Sequence, residues 1–321
     1  MKITNEEGSS LSPQQSPSAE ESPLGNPAAT LTETPGFPKI HENRSEVEYD
    51  VEPLVRSIGE LISGGILPFE TPLNPNIRYS PLQRLTLAFS HFYMPKNVKF
   101  RKLIVLPELL KDMERIILQV CKFAMSCEEF VGLPINDKWH LLRTCSLNIY
   151  KIVRAYQSIE VFGYDLDDDR LFCGRDTYST PKDFKFDTSK MSGSAKENLD
   201  RYFQPLLNKS YENVLRPARK MRITKEEVVY MAAACLWMTD DIPDISASTV
   251  EVAQRFMEQI GDDLHGHYKY VMRLENYVNR LMNIAKLLDT LEKMSIMRKE
   301  FLALTKIFDI FSCPLFLPEY F

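Results

Sequence analysis

Three groups of residues have types suited to chemistry, and their spacing decides what each can do. Asp165, Asp167 and Asp169 hold the odd positions of a calcium loop, where carboxylate oxygens would meet a hard cation. Position six of such a loop needs Gly for its turn and position twelve a bidentate Glu; here they are Arg170 and Asp176, so the segment reads as a solvated acidic loop. His265 and His267, beside Asp262 and Asp263, offer metal-ligand types, but residues two apart on a helix face different ways, so they read as surface histidines. The six cysteines stand at 121, 127, 145, 173, 235 and 313 without any Cys-x-x-Cys, which writes neither a zinc module nor a redox pair. His91 and His140 have no nucleophile or carboxylate at a revealing spacing, and no nucleophile elbow or phosphate-binding glycine loop occurs. An enzyme is not expected, nor a cofactor or metal. A formal charge of −5 without a concentrated basic arm argues against direct nucleic-acid contact.

The remaining chemistry is recognition, and helices must position it. Residues 1–45 are rich in Ser, Pro, Glu and Thr and are expected to be disordered. Ser12, Ser16, Ser22 and Thr34 each precede a proline there, which suits either phosphorylation or a plain flexible tail. Residues 46–74 read as a linker, and 75–321 as the folded domain. Helices are expected at 79–92, 107–127, 136–159, 195–221, 225–238, 246–271 and 274–311, the last with a phase slip near Ser295. The loop at 163–186 has room for a short hairpin. VVYMAAACLWM, beginning at Val228, is apolar on every side yet too short to span a bilayer, so it belongs inside a helical stack. The class is all-α, with about ten helices. No hydrophobic signal core and no apolar run of transmembrane length occurs, and the cysteines suit buried reduced thiols, so an intracellular, soluble protein without membrane contact is expected.

The stretch 123–143, FAMSCEEFVGLPINDKWHLLR, reads as two apolar helical segments hinged at Gly132-Leu133-Pro134. Phe123 and Phe130, seven apart, are expected on one face of the first segment, with Asp137 accepting from free N–H groups at the start of the second and Leu141 and Leu142 packing back. This corner resembles the signature of nuclear receptor ligand-binding domains at Phe123, Ala124, Phe130, Leu133, Asp137, Leu141 and Leu142. Lys138 stands where the family usually has Gln, and Met125 where it has Lys. The chain's departures look most like the expanded nematode branch of that family. None of the family's paired four-cysteine zinc modules occurs in these 321 residues.

The resemblance implies a three-layer antiparallel helical sandwich of about ten to twelve helices. It implies a transcriptional regulator of the nucleus and cytoplasm, with a lipophilic small molecule, coregulator helix peptides and another nuclear receptor, the same or different, as partners. The pocket it implies is lined by Leu109, Met113, Ile116, Ile117, Leu147 and Tyr150, with Gln157 at the helix-five position where many members carry Arg. Arg154, one turn earlier, is the nearby substitute. The implied coregulator groove has Cys121, Trp139 and Leu142 as its floor, Met125 replacing the clamp lysine, and Arg143 at one end. Phe316, Leu317, Glu319 and Tyr320 fit the activation-helix pattern, whose Glu caps an incoming Leu-x-x-Leu-Leu helix. The dimer surface falls on the helix expected at 274–311. A ligand-independent helical adaptor shares all of these features except the terminal motif.

Overall fold

Proline and capping side chains set where the chain turns into helix. A computed structural model describes residues 39–40, 47–69, 73–189, 193–240, 242–307 and 313. Helix α1 (Glu52–Ser63) carries Pro53 in its first turn, where the missing N–H costs nothing. Helix α2 (Pro81–Ala88) starts at a capping box in which Ser80 and Gln83 satisfy each other's backbone N–H, and it tightens into a 3-10 turn at Phe89–His91. Next come α3 (Leu106–Ala124), the single turn α4 (Glu128–Val131) and α5 (Ile135–Phe162), which stops at Gly163 with φ +81°. Helix α6 (Gly193–Ser210) continues through a π-helical turn, Tyr211–Leu215, into α7 (Arg216–Lys220). A second capping box, Thr224 with Glu227, opens α8 (Lys225–Leu236). Helix α9 (Ala247–Gly266) has Ser246 as its N-cap and runs into a π turn at His267–Val271; α10 (Val278–Ile307) is last among the described residues.

These helices form a three-layer antiparallel sandwich. Helices α2 and α3 make one outer layer, α5, α8 and α9 the middle, and α6, α7 and α10 the other side. The all-apolar segment lies where its composition sends it. Val228, Val229, Met231, Ala232, Ala233, Cys235 and Leu236 are buried in α8, which packs chiefly against α5. Arg280 of α10 locks the layers with a two-pronged grip on Glu227, its Nε and Nη2 each 2.7 Å from a carboxylate oxygen, while the Tyr268 hydroxyl donates to the same group.

Strands are few and short. A hairpin does form in the 163–186 loop, with β5 (Leu171–Phe172) antiparallel to β6 (Thr177–Ser179). Strand β6 also pairs in parallel with β3 (Lys99–Phe100), and β4 (Leu103–Ile104) pairs in parallel with β7 (Lys185–Phe186). These pairings draw the loop against the start of α3. Upstream, β1 (Lys39–Ile40) pairs antiparallel with β2 (Val47–Glu48).

Several expectations need correcting. Residues 46–74 are not simply a linker: Leu54, Ile58 and Ile62, one every four residues on α1, are at most 2% exposed and belong to the common core. Phe123 and Phe130 do not share a helix, because α3 ends at Ala124 and Phe130 sits in α4. Phe123 instead packs on Phe89 and Phe92, while Phe130 meets Trp237 edge-on with ring centroids 6.0 Å apart. Helix α10 runs unbroken through the phase slip near Ser295. Most of the segment expected to be disordered, residues 1–38 and 41–45, lies outside the described residues, as do 308–311 and the terminal motif.

Candidate ligand cavity and helix-binding groove

Four of the expected pocket residues come together. Leu109 and Met113 on α3, with Leu147 and Tyr150 on α5, line a cavity of about 170 Å³ that α6, α10 and the β5–β7 region close. Ile116 and Ile117 are absent from its lining. They lie in the core about a helical turn beyond Met113, 2% and 1% exposed. Gln157 is absent too, because its side chain is committed elsewhere. Its Nε2 donates to the Tyr93 carbonyl at 2.6 Å, and its Oε1 accepts from Arg154 Nη1 at 2.9 Å.

Arg154 does reach the cavity wall, but it arrives neutralised. It forms a buried ion pair with Asp112 of α3, whose other oxygen accepts from Arg115 at 2.8 Å, and its guanidinium lies over the Tyr150 ring at 5.3 Å. Burial holds the Arg154 guanidinium down at about 10.

Two cations on the wall carry no such partner. The Nζ of Lys151 and the Nε of Arg298 are buried without a hydrogen-bond partner among the described residues. Burial pulls the Lys151 ammonium down to about 7, and the nearby Arg298 charge adds to that. Burial likewise lowers Arg298, to about 10. Sequence reasoning missed both residues. For Lys151 a signal was present: it stands four residues past Leu147, on the same face of α5. Elsewhere, no group of three or more His, Cys, Asp or Glu side chains among the described residues is placed to hold a metal ion.

The groove expected beside the cavity is not open. Cys121, Met125 and Leu142 are at most 1% exposed, Trp139 is half-buried and Arg143 is exposed. Helix α1 packs across this region against α3 and α5. A Cβ on its Gly59 would meet the Trp139 ring at 3.8 Å. Lys138, itself buried, donates from Nζ to the Ile62 carbonyl at 3.1 Å, and the Leu67 N–H donates to the Met125 carbonyl at 2.9 Å. Burial lowers the Lys138 ammonium. Phe316, Leu317, Glu319 and Tyr320 lie outside the described residues.

Asp137 has a different task from the one its position suggests. It lies in the first turn of α5, yet its carboxylate accepts from the hydroxyls of Ser246 and Thr249 at the start of α9. It therefore ties two helix N-termini together across more than 100 residues of chain, where the expected cap would have served only its own helix. Burial pushes the carboxyl up, but the two hydroxyls outweigh that and hold it below its ordinary value.

Helices in three layers thus enclose a small apolar cavity with charged groups on its wall. The chain belongs to the nuclear hormone receptor family: residues 94–308 match the sequence model described as the ligand-binding domain of nuclear hormone receptor. It is 22% identical to nuclear hormone receptor family member nhr-213 of Caenorhabditis elegans over 62% of this chain and 46% of that protein. It is 24% identical to family member nhr-103 of the same nematode over 93% of this chain and 74% of that protein, and 23% identical to nhr-106 over 64% and 54%. The chain thus spans about half to three quarters of the length of these curated relatives.

Proposed function

We propose that this chain regulates transcription in the nucleus as a ligand-responsive receptor domain, and that its ligand is a compact lipophilic molecule with an anionic head. Membership of the nuclear hormone receptor family supports the regulatory role and the nuclear setting, and members of that family are generally not enzymes. The observation that carries the ligand reading is Lys151 with Arg298. The Lys151 ammonium and the neighbouring Arg298 Nε, both buried without a hydrogen-bond partner among the described residues, raise the free energy of the empty domain, and a carboxylate seated beside them would relieve that cost. The surrounding wall is apolar, with Leu109, Met113 and Leu147 available to an acyl chain. At about 170 Å³ the cavity is smaller than the ~300–1,000 Å³ of drug-sized sites, which favours a medium-chain acid over a sterol.

Pairing with another receptor chain has its own support. Met282, Ile296, Leu304 and Ile307 of α10 are each at least 48% exposed, an apolar series on the helix where the family places its dimer surface. A ligand-independent adaptor would use that face alone.

The deciding experiment is calorimetric titration of the full chain with decanoate and, separately, with 1-decanol. Decanoate should bind saturably and decanol at least tenfold more weakly, and substituting both Lys151→Met and Arg298→Met should remove the difference. Equal binding of acid and alcohol would refute the anionic head. No binding of either would leave the adaptor as the better reading.

A further inference from the structure

The groove that a partner's helix would use is filled by the chain's own helix. Helix α1 lies against α3 and α5, the elements that carry Cys121, Trp139 and Leu142. Its buried stripe is Leu54, Ile58 and Ile62, with Leu61 half-buried beside it. Residues 58–62, Ile-Gly-Glu-Leu-Ile, therefore present the apolar-x-x-apolar-apolar face with which an amphipathic helix enters an apolar groove. Gly59 brings the α1 backbone close above Trp139.

The polar contact is placed as a helix ligand requires. The last carbonyls of a helix have no partner within it, and Lys138 donates to one of them, that of Ile62. Met125 supplies no charge but anchors the chain just beyond α1, accepting from Leu67 through its backbone carbonyl. The lysine usual in the family at 125 is thus replaced by Met and the Gln usual at 138 by Lys, and a lysine still caps the seated helix.

We infer that α1 is an internal ligand of the coregulator groove, and that a partner helix of the same apolar pattern must displace it to bind. The inference rests on the coregulator reading of that groove. A tethered segment competes at an effective concentration of about millimolar, so an external helix should be weakened on the order of tenfold or more.

The test uses the full chain, a fluorescent Leu-x-x-Leu-Leu peptide, and Ile58→Ala to loosen α1 while keeping its length. Anisotropy should show the peptide binding Ile58→Ala at least tenfold more tightly than the unaltered chain. Hydrogen exchange on the unaltered chain should show saturating peptide releasing the amides of residues 54–63 while those of α8 stay protected. That second arm decides the matter even if Ile58→Ala fails to fold. Equal binding to both proteins, or binding that leaves α1 protected, would overturn the inference and leave the groove reading in place. Binding to neither protein, with both cooperatively folded, would remove the groove reading itself and the inference with it.

Discussion

Lys138 Nζ stands 3.1 Å from the carbonyl oxygen of Ile62, joining the first turn of α5 to the last turn of α1. The contact is charge-assisted, worth about 1.5–3 kcal/mol, but the ammonium is also buried, which offsets much of the gain. Lys138→Met should therefore change global stability by less than about 1 kcal/mol while loosening α1 selectively. Hydrogen exchange checks this: faster exchange confined to residues 58–63 is expected, and uniform loosening of α3 and α5 would count against it.

Asp137 carries more of the global fold. Replacing it with Ala strands the Ser246 and Thr249 hydroxyls and should cost about 2–3 kcal/mol in denaturant melts. The sign with pH is fixed by its lowered pKa. The folded carboxyl lies below its ordinary value of 3.8, so its contribution is complete above about pH 4 and is lost as pH falls through the folded value. The gap between wild type and Asp137→Ala should narrow between pH 4 and pH 2, and a constant gap would contradict this role.

Lys151 should work against stability in the ligand-free domain. Its folded pKa, about 7, lies below its ordinary 10.5, so between these values the unfolded chain binds more protons and stability rises with pH. Lys151→Met should stabilise the empty protein by about 2 kcal/mol near pH 6, allowing for residual solvent screening, with the advantage fading towards pH 10. Thermal melts at both pH values measure it. A destabilised variant at pH 6 would mean that Lys151 has a partner in the empty domain.

Phe130 is fully buried against Trp237, so Phe130→Ala should cost about 3–5 kcal/mol by chemical denaturation, without changing the charge or shape of the cavity wall. A loss below about 1 kcal/mol would show that the corner collapses around the gap.

The layers were legible because the signals for them are local. The spacing of Leu110, Met113, Ile117, Val120 and Ala124 marks α3, and the all-apolar run at Val228 marks the interior helix. Asp137 was legible as a hydrogen-bond acceptor at the start of its helix but not as a tether to another helix, since Ser246 lies 109 residues away. Helix α1 was missed in the segment read as a linker although Leu54, Ile58 and Ile62 repeat every fourth residue, because Pro53, Gly59 and the Gly64-Gly65 pair crowd so short a pattern with residues of low helix propensity. Arg298 was beyond local reach, because only the packing of α10 brings it to the cavity that α5 helps to build. Gln157 misled for a related reason: its position suits a ligand contact, but Tyr93 and Arg154 already use its amide.

The most direct measurement is the affinity of decanoate for the full chain from pH 6.5 to 8.5, with Lys151→Met alongside. Decanoate stays ionised throughout, whereas Lys151 in the empty cavity loses its proton around 7. If the ammonium holds the carboxylate, binding must take up a proton above that pH, and affinity should fall by about tenfold or more across the range. The same titration of Lys151→Met should be weaker and flat. Affinity independent of pH in the wild type, or unchanged in the variant, would contradict the account.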